Sequence, residues 1–158
     1  MLDVILALKF VHMIAMAVMF GTWMCLTLFM VSAGRSGKAA LAAFTARFAV
    51  RAELTLMIPA LALQPLVGYP LAIAIGDQLD VYWLEVSVAI YAAVVAAWLV
   101  NLVIALRLRK ATHAAAVSGK VLPRTCRRLF FVWNVISLAG LFAMAAIMAL
   151  MVWQPHRY

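Results

Sequence analysis

Four apolar stretches, near residues 4–32, 54–75, 82–106 and 129–153, constrain this chain more than any other feature. About 20 predominantly apolar residues are enough to cross a hydrocarbon core of roughly 30 Å. Lipid offers no water to backbone N–H and C=O groups, so a spanning segment must be a helix or part of a closed barrel. Each stretch is apolar around its whole circumference, and none shows the strict alternation of a barrel strand. The expected architecture is all-α: a four-transmembrane-helix bundle forming a single domain over residues 1–158. Four spans and their loops nearly use up that length, so no separate soluble domain is expected. The composition, 69% hydrophobic and 11% charged, departs in the same direction from a soluble domain, where roughly half and a quarter are typical.

Basic residues set the expected orientation. Of the thirteen, eleven fall in or beside two loops: Arg35, Lys38, Arg47 and Arg51 after the first stretch, and Arg107, Arg109, Lys110, Lys120, Arg124, Arg127 and Arg128 after the third. Positive loops stay inside, so both termini are expected in the periplasm of a bacterial cytoplasmic (inner) membrane. Asp3, Asp77, Asp80 and Arg157 then lie outside, with Tyr82, Trp83, Trp153 and Tyr158 as an interfacial aromatic belt. The net charge of +8 flanks apolar spans and lacks interleaved aromatics. It therefore points to anionic headgroups at the cytoplasmic face and not to nucleic acid. Asp3 replaces the basic start of a cleaved signal, so the first helix is expected to be retained. Cys25, in the inner half of the first span, and Cys126, in a cytoplasmic loop, have no metal-ligand spacing and are expected to stay reduced.

Between the spans, the Ala-rich segment 34–52 with spaced Arg and Phe predicts a short amphipathic helix at the membrane surface, and 111–123 predicts a loop. Pro59, Pro65 and Pro70 punctuate the second stretch. Each removes a backbone donor, so freed carbonyls need partners from neighbouring helices or water. Kinks that shape the bundle are one reading of these prolines. A widened cavity with Gln64 as hydrogen-bonding group is the other.

The candidate site centres on His12, an ionisable group inside the first span. Such a group is expensive in lipid and tends to mark binding or conduction. Lys9 lies one turn nearer the outer surface on the same face, Glu85 enters the third helix at a similar level, and the equal-depth layer includes Gln64, Tyr69, Tyr91, Met144 and Met148. Neutral imidazole is an axial ligand for haem iron, and a helical bundle accommodates a flat macrocycle. His12 would be the metal ligand and Lys9 a propionate partner, with the iron either five-coordinate or completed by Met148, water or a second protomer. The plainer reading is a histidine bonded to a neighbouring helix. Met13, Met16 and Met19 fit helix packing as well as copper binding. His113 and His156 are expected to be solvated.

The pattern Leu8-Lys9-x-x-His12-x-Ile14-Ala15 with Gly21, then Pro59-Ala60 with Gly68, Trp83-Leu84, Arg128-Leu129 through Asn134 and Gln154-Pro155, resembles the four-helix bacterial membrane proteins that include HemJ-type protoporphyrinogen oxidase. It is most similar to an uncharacterised branch of predicted integral membrane proteins, and its first helix is similar to that of copper-resistance protein D. The resemblance covers nearly the whole chain. It implies haem b on His12. It also implies a lysine in a Trp-Leu-His-Ala-Lys pattern, where this chain reads Trp83-Leu84-Glu85-Val86-Ser87, so enzyme activity is left open. Two functions follow. One is a haem b membrane redox protein exchanging electrons with a quinone or a periplasmic partner. The other is a non-catalytic accessory or assembly subunit whose faces, such as Ala92-Ala93 with Ala96-Ala97 and Ala143-Ala145-Ala146, pack on another membrane protein or a second copy.

Overall fold

Each apolar stretch is the middle of a longer helix. A computed structural model describes residues 2–75 and 81–154; the expectations for Asp77, Asp80, His156, Arg157 and Tyr158 lie outside the described residues. In chain order come α1 (Leu2–Ser36), α2 (Ala39–Ala52), a π-helical turn (Glu53–Met57), α3 (Ile58–Ala74), α4 (Tyr82–Val117) and α5 (Arg124–Trp153). α2, the π turn and α3 follow one another without a break, giving one helical rod from residue 39 to 74. The structure thus has four helices long and apolar enough to cross a membrane, and no strand among the described residues. At 1.5 Å per residue a 36-residue helix is about 54 Å long, well beyond a hydrocarbon core of roughly 30 Å.

Four expectations are corrected here. Segment 34–52 is not a separate surface helix: α2 runs straight into the second span and buries Ala42, Ala43, Ala46 and Ala49 against its neighbours. Residues 111–117, expected as loop, are the last turns of α4. Alanine is the strongest helix former, and the Ala-rich composition of both segments carries the helices through. Only Gly37-Lys38 and residues 118–123 remain as connections at what we call the basic end of the bundle. Gly37 and Gly119 hold φ of +68° and +63° there, a left-handed conformation that glycine adopts without steric cost. Cys126, expected in a loop, is buried in the first turn of α5. Trp83, expected in the interfacial belt, is turned into the bundle, whereas Trp153 is exposed.

Buried positions recur at alternating steps of three and four: Met16, Met19, Trp23, Leu26, Met30 and Ala33 on α1, and Cys126, Phe130, Trp133, Ser137, Gly140, Met144 and Ile147 on α5. That spacing is the seam of helices packed nearly parallel with interdigitating side chains. α4 packs on α5 and α2, and α1 on α3, α5 and α2, while α3 and α4 barely meet. Where α1 crosses α5, a Cβ on Gly140 would collide with the edge of the Trp23 ring. Trp23 Nε1–H donates to Ser137 Oγ at 3.1 Å, and Asn101 Nδ2–H donates to the same oxygen at 2.8 Å and to the Trp133 carbonyl at 3.3 Å. A buried polar knot therefore ties α1, α4 and α5.

The prolines act as their chemistry requires. Pro59 opens α3 directly after the π turn, where Ile58 N–H bonds back to the Glu53 carbonyl five residues earlier. The wider turn accommodates a ring that would clash with the carbonyl of an α-helix. Pro65 deprives the Leu61 carbonyl of its helical donor, and Tyr91 Oη–H of α4 donates to that oxygen at 2.6 Å. A neighbouring helix thus satisfies the freed group.

Candidate functional site

His12 lies near the end of α1 that carries the N-terminus, half-buried at the seam with α3. The seam is built from three residues. Gly68 of α3 faces the ring: a Cβ there would stand 3.0 Å from His12 Cε1 and 3.4 Å from Nδ1, so any larger residue would have to push the imidazole aside. Gln64, four residues earlier and so on the same face of α3, is buried and donates from Nε2 to the His12 carbonyl at 3.3 Å. Nδ1 is enclosed and has no hydrogen-bond partner. Nε2 is not enclosed in this way and has no hydrogen bond from the described residues.

That arrangement has chemical content. A ligating histidine keeps one ring nitrogen turned to a backbone carbonyl or carboxylate, which fixes tautomer and orientation, and offers the other to the metal. His12 has Nδ1 inside the seam and Nε2 outside it, so the residues fit a single axial ligand to haem iron. The remaining sequence candidates are more dispersed. Lys9 is exposed on α1. Glu85 is exposed in the first turn of α4, and Met148 is 46% exposed on α5. Glu85 thus stands on α4, and Met148 on α5, which packs on α1. The structure brings together His12 and Gln64 and adds Gly68, and no hydrogen bond or ion pair among the described residues joins Glu85 or Met148 to them. His113 is an exposed residue of α4 near the opposite, basic end. No group of three or more His, Cys, Asp or Glu occurs among the described residues.

One buried ionisable residue escaped the sequence reading. Glu53, in the π turn, is 1% exposed, and both its carboxylate oxygens lack a protein partner. Counted from the basic end of each helix at 1.5 Å per residue, Glu53, Trp23 and Ser137 lie roughly 20 Å deep and Asn101 about 24 Å. Trp98 Nε1, Trp133 Nε1 and Asn101 Oδ1 are buried and partnerless as well. A carboxyl inside a spanning helix is a functional candidate by default. The apolar stretch begins at residue 54, so hydropathy alone leaves Glu53 outside it. Only the continuity of the Ala-rich helix with the second span places Glu53 inside that span.

No curated protein and no solved structure matches the chain. Residues 6–155 match the model of a family described as a predicted integral membrane protein (DUF2269).

Proposed function

The chain belongs to this DUF2269 family of integral membrane proteins, matched over nearly its whole length, and on that footing we propose that it binds haem b through Nε2 of His12 and serves membrane electron transfer. The observation that carries the reading is an imidazole seated against Gly68, on a turn of α1 whose His12 backbone carbonyl accepts from Gln64, with Nδ1 enclosed and Nε2 left without a protein partner. A polar ring nitrogen with nothing to bond at membrane depth calls for a ligand. Haem, when bound, supplies a one-electron couple whose potential is set by axial ligand and surroundings. In this proposal His12 orients and ligates, Gln64 holds the backbone of α1 at the ligand, and the exposed Lys9 ammonium pairs with a propionate. The resemblance to HemJ-type proteins supports haem on His12. Porphyrinogen oxidation is not part of the proposal. Ser87 stands where that family's lysine is expected, is buried, and donates to the Trp83 carbonyl at 2.7 Å. Electrons would pass to or from a quinone or a periplasmic partner, in a bacterial inner membrane with both termini outside.

The visible spectrum of the purified chain tests this. Wild type should show a Soret band after haem supplementation, His12→Ala should lose most of it, and His113→Ala should keep it. Lys9→Ala should weaken retention less, because it removes a peripheral charge and not the iron bond. Protein that stays colourless with added haem would sink the reading.

A second reading, an accessory subunit, is favoured by one observation. Ala92, Ala93 and Ala96 on α4 and Ala145 and Ala146 on α5 are exposed. Small outward-facing residues let another helix approach closely in lipid. A colourless chain that co-purifies with a second membrane protein or a second copy would select it.

A further inference from the structure

The basic end of the bundle carries a groove of about 590 Å³ between α2 with its π turn and α4, lined by Arg47, Arg51, Thr55, Arg109, Lys110 and His113, with Val50 and Leu54 as its apolar part. No carboxylate lines it. The four permanent cations have no ion pair among the described residues, and the nearest acid in sequence, Glu53, has its carboxyl buried in the bundle. Arg47 and Arg51 are four residues apart on one helix, as are Arg109 and His113 on the other. Like charges at the Arg47–Arg51 spacing repel, and here Arg109 and Lys110 face that row across one groove. Something anionic is needed to offset them.

The groove's position selects the kind of anion. The apolar run of α4 ends at Arg107, so Arg109 and Lys110 stand at the edge of the hydrocarbon, where headgroup phosphates lie. Below the cations, Leu99 and Val103 on α4 and Leu54 and Ile58 on the rod are all exposed. From residue 109 to 99 this apolar flank runs about 15 Å, half of a hydrocarbon core of roughly 30 Å and so the depth of one leaflet. A cationic cup continuous with an apolar flank of that length has the shape of a lipid.

We propose that this groove is a specific site for the phosphate headgroup of an anionic phospholipid, with Arg47, Arg51, Arg109 and Lys110 holding the phosphate and the exposed face below it receiving an acyl chain. Arginine pairs with phosphate oxygens in a bidentate fork and lysine as a point charge. The site is distinct from His12 and does not depend on haem.

The test uses the full-length chain in nanodiscs and native mass spectrometry. Wild type should retain phosphatidylglycerol over phosphatidylcholine by at least about tenfold, since each basic group near the surface contributes roughly fivefold. The variant Arg47→Gln/Arg51→Gln/Arg109→Gln/Lys110→Gln should lose that preference. A control with the same kind of charge loss outside the groove, Arg124→Gln/Arg127→Gln/Arg128→Gln, should keep it. If the fourfold variant does not fold, Arg47→Gln/Arg51→Gln and Arg109→Gln/Lys110→Gln carry the same comparison separately, each with a reduced preference. Equal loss in the control would overturn the site in favour of diffuse attraction, as would an unchanged preference in the groove variants. Competition by millimolar inorganic phosphate as effective as by phosphatidylglycerol would overturn the lipid as occupant.

Discussion

Two glycines in this bundle set positions by what they lack. At Gly140 a Cβ would collide with the indole of Trp23, which is fully buried and held by its bond to Ser137. The ring has nowhere to go. Gly140→Ala should therefore destabilise the fold by about 1–3 kcal/mol, the usual range for overpacking a filled core; an unchanged thermal midpoint in nanodiscs would contradict the crossing. At Gly68 the neighbour is the half-buried edge of His12, so the same change there displaces a ring and not a core. Residue scale is also where the sequence was most and least legible. His12 stood out because an ionisable group among apolar neighbours is costly. Gly68 had no such mark: the need for a missing side chain is visible only when the facing helix is in place.

At the scale of elements, Pro65 and Tyr91 form one unit although they lie on different helices. Tyr91→Phe leaves the Leu61 carbonyl without the donor that Pro65 also denies it, and should cost about 0.6–2 kcal/mol, as interhelical hydrogen bonds in membranes do. In a Pro65→Ala background the helix supplies its own N–H. There the same Tyr91→Phe should cost clearly less, and a double-mutant cycle with no coupling would refute the pairing. The expectation that neighbouring helices answer the prolines was readable from sequence, because a missing N–H is a covalent fact. Which faces of the helices pack was not. Lipid-facing and core-facing residues are equally apolar, so hydropathy carries no stripe. The three-four spacing of large and small residues on α1 and α5 marks the seam only once it is known to be buried. At the basic end every helix runs past its apolar stretch, because a charge such as Arg47 or Arg109 ends an apolar stretch without ending a helix.

For the whole molecule, the distribution of charge predicts the side on which each end lies. The connections at Gly37-Lys38 and 118–123, together with the groove, gather the basic residues at one end, and positive ends stay inside. In intact spheroplasts, a maleimide that cannot cross the membrane should label Leu2→Cys and spare Lys120→Cys, in a background of Cys25→Ala and Cys126→Ala. Labelling of Lys120→Cys alone would invert the topology.

The rod from residue 39 to 74 changes neighbours along its length: its α2 half is held by both α1 and α4, its α3 half essentially by α1. Pro59, Pro65 and Pro70 also deprive α3 of three backbone donors. Fewer contacts and a thinner ladder are the features of a segment that opens locally at low free energy, so amide exchange should be faster in α3 than in α4 or α5. The seam around Nδ1 of His12 is therefore closed only as tightly as α3 is docked, whereas Nε2 stands outside it. Breathing of that one helix should change how firmly the imidazole is aimed.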